Sequence, residues 1–182
     1  QDSTPSGTNL HDANLHGADL RGAILSESDL SGADLGEAKL DGATVAGANL
    51  QGAGLSRANL TRVDLAGADL NQADLSGANL TETDLRNADL RGADLERVIV
   101  VLPDLHGTKL DDRTQIQGRW RLAWEVVNQG AANRDLSSRK LSYADLRGSH
   151  LPGADLRRAR LQFADLRGAD LRQADLRGAF LT

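Results

Sequence analysis

Residues 68–97 read ADLNQADLSGANLTETDLRNADLRGADLER, and every fifth residue from Leu70 to Leu95 is leucine. Followed outward in the same phase, 19 of the 21 positions from Leu10 to Leu110 are Leu, with Val45 and Val100 as the exceptions. A second run from Leu136 to Leu181 has Leu at all ten positions, which makes 31 five-residue repeats broken once. Two residues before the central position stands Ala in 21 repeats, one before it Asp in 16, and two after it Gly in 14. A period of five fits neither the 3.6 of a helix nor the 2 of a continuous strand. Two inward residues, Ala and Leu, around an outward Asp make a very short extended segment. Gly then supplies the positive φ that the third position of a type II turn requires. Repetition coils the chain into a solenoid that advances roughly 4.8 Å per coil, the spacing of paired strands.

The remaining composition follows from that repeat. The apolar content of 40% is nearly all Leu and Ala, because those residues fill the two inward slots. There is no Cys, which excludes disulfides, thiolate zinc sites and cysteine nucleophiles. No run of about 18 apolar residues exists, so no membrane insertion is expected. Residue 1 is Gln, not Met; if it follows a cleaved signal peptide, the expected location is a periplasm or thylakoid lumen, and otherwise the cytoplasm.

The pattern Ala-Asp/Asn-Leu-x-Gly resembles the pentapeptide-repeat family, A(D/N)LXX. The resemblance implies an all-β solenoid, a right-handed quadrilateral β-helix with four repeats per coil. On that basis residues 8–112 form a first repeat block and residues 134–182 a second, with an insert at 113–133 that contributes one inserted α-helix. The family also implies a non-enzymatic scaffold or protein-interaction module whose partner is an unknown protein.

The insert holds both tryptophans. Ile116, Trp120, Ala123, Trp124 and Val127 fall on one helical stripe, widened by Leu122 and Val126. Thr114 as N-cap and Gly130 as C-cap predict a helix over 115–129. Similar segments of the form WRLxWxxVNQG occur in family members from photosynthetic bacteria. Just upstream, Ile99 takes the usual outward Asp position beside Val101 and Leu102, an apolar patch whose expected cover is the helix. Trp120 and Trp124 are therefore expected to be buried, or to recruit a partner if exposed. Tyr143 and Phe163 are 20 residues apart in the glycine slot, so four repeats per coil stack them on one face, as cover for a neighbouring element or as a dimer surface. Phe180 replaces Asp in the last repeat, where an open coil edge suits a homodimer through the C-terminal coil.

Charge is unequal along the chain. Residues 1–112 hold 8 Lys and Arg against 19 Asp and Glu, whereas residues 113–182 hold 13 against 7. In the second block Arg147, Arg157, Arg167 and Arg177 each follow an Asp by two residues, an alternating-sign surface that satisfies itself. The acidic first block fits an alternative from another class, a DNA mimic that inhibits a DNA-binding enzyme such as gyrase, as quinolone-resistance relatives are thought to do. Against it stand the centres, Leu or Val throughout where those relatives favour Phe, and the plentiful Arg. Direct nucleic-acid binding is not expected, since Arg alternates with Asp and no aromatic platform is evident.

Nothing points to catalysis. GxSxG, HExxH, phosphate-loop and EF-hand spacings are absent, and the glycines belong to turns. His11 and His16 occupy the same slot in adjacent repeats and so face different sides, with no third ligand implied. No catalytic, cofactor or metal residue is assigned. The candidate interaction or packing residues are Ile99, Trp120, Trp124, Tyr143, Phe163 and Phe180.

Overall fold

The fate of the five backbone donors of one repeat shows why the chain coils. In a computed structural model, which describes residues 7–182, the Ala68 N–H closes a turn onto the Leu65 carbonyl at 3.1 Å. Asp69 donates to Ala48 in the preceding coil at 2.9 Å, while Leu70 and Gln72 donate to Asp89 and Arg91 in the following one at 2.8 and 3.0 Å. The fifth donor, Asn71 N–H, is taken by the Asp69 side-chain Oδ1 at 3.0 Å. No donor is left over, as a buried backbone requires.

Parallel bridges join residues 20 apart, for example Asn49 to Asp69 and Asp69 to Asp89, so four repeats complete each coil. Leu and Ala line the interior: Leu30, Leu70 and Leu75 are fully buried, as are Ala33, Ala68 and Ala78.

The Asp/Asn slot is explained by that fifth donor. All 21 Asp and Asn residues there accept the N–H two residues on, an Asx turn. Asn serves as well as Asp because oxygen, not charge, is what the turn needs. Where His150 fills the slot, the residue two on is Pro152, which has no N–H to satisfy. Asp74→Asn is therefore expected to leave stability within about 0.5 kcal/mol, and Asp74→Ala to cost about 1 kcal/mol, read from urea midpoints.

Turn chemistry is broader than the glycine count suggests. The third turn position has positive φ whether or not Gly occupies it, as at Arg57 (56°), Gln72 (60°), Tyr143 (63°) and Phe163 (59°). The ladder imposes this conformation, and glycine only relieves its strain.

The chain divides into two compact units, one ending at Ile116 and the other spanning Gln117–Thr182. In the amino-terminal unit the 20-residue step holds up to the Asp89–Lys109 bridge. It then lengthens by one residue, as β1 (Asp94–Leu95) pairs in parallel with β2 (Gln115–Ile116), Asp94 opposite Gln115. The side chains of the loop absorb the extra residue. Gly92 N–H is accepted by Asp111 Oδ1 at 2.9 Å, and the buried Thr114 hydroxyl donates to the Leu90 carbonyl at 3.0 Å.

Thr114 is therefore a coil residue and not a helix cap, and pairing holds Ile116 in β2. The helix α1 begins later, at Gly118, and runs to Gln129 with Gln117 as its N-cap residue and Gly130 (φ 73°) as its C-cap. Its buried residues are Trp120, Ala123 and Val126, with Trp124 and Val127 half-buried. The buried stripe is thus rotated from the one the sequence pattern predicts. Beyond α1 the ladder resumes with Ala131 N–H donating to the His150 carbonyl at 2.8 Å. The bridges Asp135–Asp155–Asp175 and Lys140–Arg160–Phe180 carry it on. Arg134, in an inward slot, ties α1 to this coil through Glu125 at 2.6 Å.

Candidate interaction surfaces

The candidate residues separate by exposure. Trp120 is 3% exposed with Arg119 4.9 Å over its ring, so it is a packing residue, while Trp124 is half-buried. Ile99 is 58% exposed. Phe180 and Leu181 are exposed at the last coil.

Tyr143 and Phe163 form an exposed stacked pair. Their rings stack at 5.0 Å between centroids and 16° between planes, with 40% and 62% exposure. The stack follows from the 20-residue step, since Tyr143 N–H donates to the Gln162 carbonyl at 3.0 Å. Alongside, the Ser142 hydroxyl donates to Gln162 Oε1 at 2.9 Å.

Both aromatics sit in the left-handed turn position that Gly fills most often. Holding a bulky residue there costs about 1–2 kcal/mol each. Ring stacking returns about 0.5–1.5 kcal/mol for the pair, and little area is buried. Stability therefore does not account for two aromatics at this corner. The double substitution Tyr143→Gly and Phe163→Gly is expected to change unfolding free energy by no more than about 1 kcal/mol in thermal melts.

The charged columns of the carboxy-terminal unit are largely self-satisfied. Arg157, Arg167 and Arg177 hold Asp155, Asp165 and Asp175 at 2.5–2.6 Å, and Arg172 holds Asp170 at 2.8 Å. The hydrogen bonds from Arg167 and Arg177 lower the Asp165 and Asp175 carboxyls to about 2. A carboxyl depressed in the folded state stabilises the fold above its unfolded value, near 4, and loses that contribution as pH falls toward 2. The melting temperature is expected to be flat from about pH 5 to 8 and to fall between about pH 4 and 2. Two histidines of the amino-terminal unit also bond to the next coil: His11 Nδ1 lies 2.8 Å from Ser31 Oγ, and His16 Nδ1 3.4 Å from Asp34 Oδ1.

Among the described residues of the carboxy-terminal unit, one side differs. Its outward column is Lys140, Arg160 and Phe180, whereas the other sides carry Asp135/Asp155/Asp175, Asp145/Asp165 and His150/Asp170. Lys140, Arg158 and Arg160 are exposed, and none has a carboxylate within 4.0 Å. A groove of about 640 Å³ at the adjoining corner is lined by Ser137, Ser138, Arg157, Arg158, Arg177 and Gly178. A second, of about 270 Å³, shares Ser138 and adds Arg119, Arg139 and Lys140. The sequence showed the cations but not that three of them fall on a side without acid; reading every twentieth residue would have found this.

Pentapeptide repeats match the chain in eight copies over residues 1–26, 28–65, 58–97 and 140–178. Among solved structures the chain is similar to HetL, a pentapeptide repeat protein involved in heterocyst differentiation regulation from the cyanobacterium Nostoc sp. strain PCC 7120. That identity is 36% over 94% of this chain and 75% of that one, with a TM-score of 0.47. It is also similar to alr5209, a pentapeptide repeat protein of Nostoc PCC 7120, at 37% identity over 59% of this chain and 88% of that one, TM-score 0.50. QnrB1, a plasmid-mediated fluoroquinolone resistance protein, shares the fold at 18% identity over 97% of this chain and 92% of that one, TM-score 0.53. No curated protein matches.

Proposed function

The chain belongs to the pentapeptide-repeat family, and from that premise we propose that it is a non-enzymatic protein-interaction scaffold built on a right-handed quadrilateral β-helix. The coils supply rigidity, and recognition resides where a repeat carries an aromatic in place of its usual turn residue. The observation that carries this reading is the Tyr143–Phe163 stack, exposed at corner positions that disfavour aromatics and that stability does not require. Aromatic anchors on a rigid support suit protein recognition, because few degrees of freedom are lost on binding.

The test is affinity capture from an extract of the cells that make the protein, with wild type and the Tyr143→Gly/Phe163→Gly double variant as baits. The expected result is a protein, identifiable by mass spectrometry, that the wild type retains and the variant does not. Retention of the same proteins by both baits would refute the assignment of this corner.

A second reading, mimicry of DNA toward a topoisomerase, has one favouring observation: the column Asp64–Asp84–Asp104 and its neighbour Asp69–Asp89 on the amino-terminal unit. Arg86 already occupies Asp84, which dilutes that field. In a gyrase supercoiling assay at micromolar protein, no inhibition is expected, and inhibition would move the function to the acidic unit.

A further inference from the structure

We propose that the side of the carboxy-terminal unit carrying Lys140, Arg160 and Phe180 binds a short acidic protein segment that also presents apolar side chains. The proposal rests on the protein-interaction reading and names the chemistry of the partner. Three columns define the surface. At one corner Ser138 N–H donates to the Arg157 carbonyl at 2.9 Å and Arg158 N–H to the Arg177 carbonyl at 3.1 Å, which stacks Ser138, Arg158 and Gly178. The outward column between the corners is Lys140–Arg160–Phe180. At the other corner stand Tyr143 and Phe163.

Cations and apolar rings thus adjoin on one side, and no carboxylate of that side neutralises the cations. Elsewhere in the unit an Arg two residues after an Asp is engaged, as Arg147 is by Asp145 and Arg167 by Asp165. Lys140, Arg158 and Arg160 are free to make charge-assisted hydrogen bonds to a partner's carboxylates. Phe163, 62% exposed, and Phe180, 53% exposed, offer apolar contact beside them. The two grooves that meet at Ser138 give those side chains a recess to close over.

The flanking columns favour a short acidic segment over a nucleic acid. Asp135, Asp155 and Asp175 border this side along one edge, and Asp145 and Asp165 along the other. The attractive strip spans three coils, roughly 10 Å of rise. At physiological salt, fields fade over about 8 Å, so a long phosphodiester strand would leave the cations and meet the acidic columns. A segment of a few residues need touch only the strip. The sequence-level objections to a basic surface, alternation with Asp and lack of an aromatic neighbour, do not hold on this one side.

The experiment is fluorescence anisotropy with three labelled probes of about 12 units: a peptide of Glu, Asp, Leu and Phe, the same peptide with Lys for its acids, and a single-stranded DNA. At about 50 mM salt the acidic peptide is expected to bind the wild type and to weaken steeply with salt. Lys140→Gln/Arg158→Gln/Arg160→Gln should weaken it at least about tenfold and flatten the salt dependence. Tyr143→Gly/Phe163→Gly should weaken it about fivefold and leave the salt slope unchanged. Arg167→Gln, on another side, should bind as wild type does. Circular dichroism confirms that each variant is folded.

Tighter binding of the DNA, equal binding of the two peptides, or no binding of the acidic peptide overturns the proposal. If the peptide fails while cellular capture through the aromatic corner succeeds, the acidic chemistry is wrong and the scaffold reading stands. If both fail, both fall.

Discussion

Leu70→Asp is expected to unfold the amino-terminal unit under conditions where the parent is fully folded. Leu70 is fully buried, and Leu50 and Leu90, one coil to either side, are 2% and 1% exposed. A carboxylate placed between them has no cation within an interior lined mainly by Leu and Ala. It must stay charged without water or take up a proton, and either course is costly. Leu70→Ala should cost about 3 kcal/mol through its cavity, and Leu70→Asp at least about 4 kcal/mol. Stability in stacked coils sums over neighbours, so a break in the middle also uncouples the halves. Urea denaturation followed by circular dichroism gives the result directly. A loss under about 1 kcal/mol for the Asp variant would mean that Leu70 is not in a closed core.

Trp120→Ala is expected to cost about 3–5 kcal/mol, the second large effect. Trp120 is 3% exposed, and the stacked Arg119 guanidinium is lost with the ring. Its Nε1 is buried without a hydrogen-bond partner, so Trp120→Phe removes an unsatisfied donor along with some volume. The Phe variant should therefore recover most of the loss, to within about 1.5 kcal/mol of wild type. Trp124 is half-buried, and Trp124→Ala should cost less than Trp120→Ala. The order of melting temperatures, wild type, then Trp120→Phe, then Trp120→Ala, checks the assignment. Equal losses for the Phe and Ala variants would contradict it.

The repeat makes the coil legible in the sequence, because a fixed period with fixed small and large inward residues admits few foldings. The role of Asp was harder to see. Read as a charge, the Asp ladder appears to need compensating cations; read as an oxygen acceptor, it closes the backbone's hydrogen-bond ledger. The signal was present in the sequence, since Asn9, Asn14, Asn49, Asn59 and Asn79 share the slot without sharing the charge. The glycine slot misled in the opposite direction. Its positive φ belongs to the ladder, so Arg57 and Phe163 adopt it too.

The insert was legible as a helix but not in its edges. Thr114 looks like a cap in sequence, yet its hydroxyl and Asp111 repair a 21-residue step in the last coil pairing, which no local pattern announces. That step holds Ile116 in a strand pair and delays the helix to Gly118. The side holding Lys140, Arg160 and Phe180 does not show in the linear order of charges, because its members are 20 residues apart. Trp120, expected to be buried, is 3% exposed.

The central claim is that regular coils carry stability while the aromatic corner carries recognition. Melting temperature and partner retention, measured on the same preparation of the Tyr143→Gly/Phe163→Gly variant, test it most directly. The account predicts a melting temperature within about 4 °C of wild type together with loss of the retained partner. A fall of more than about 8 °C with retention unchanged would contradict it, because the stack would then be holding the coils together.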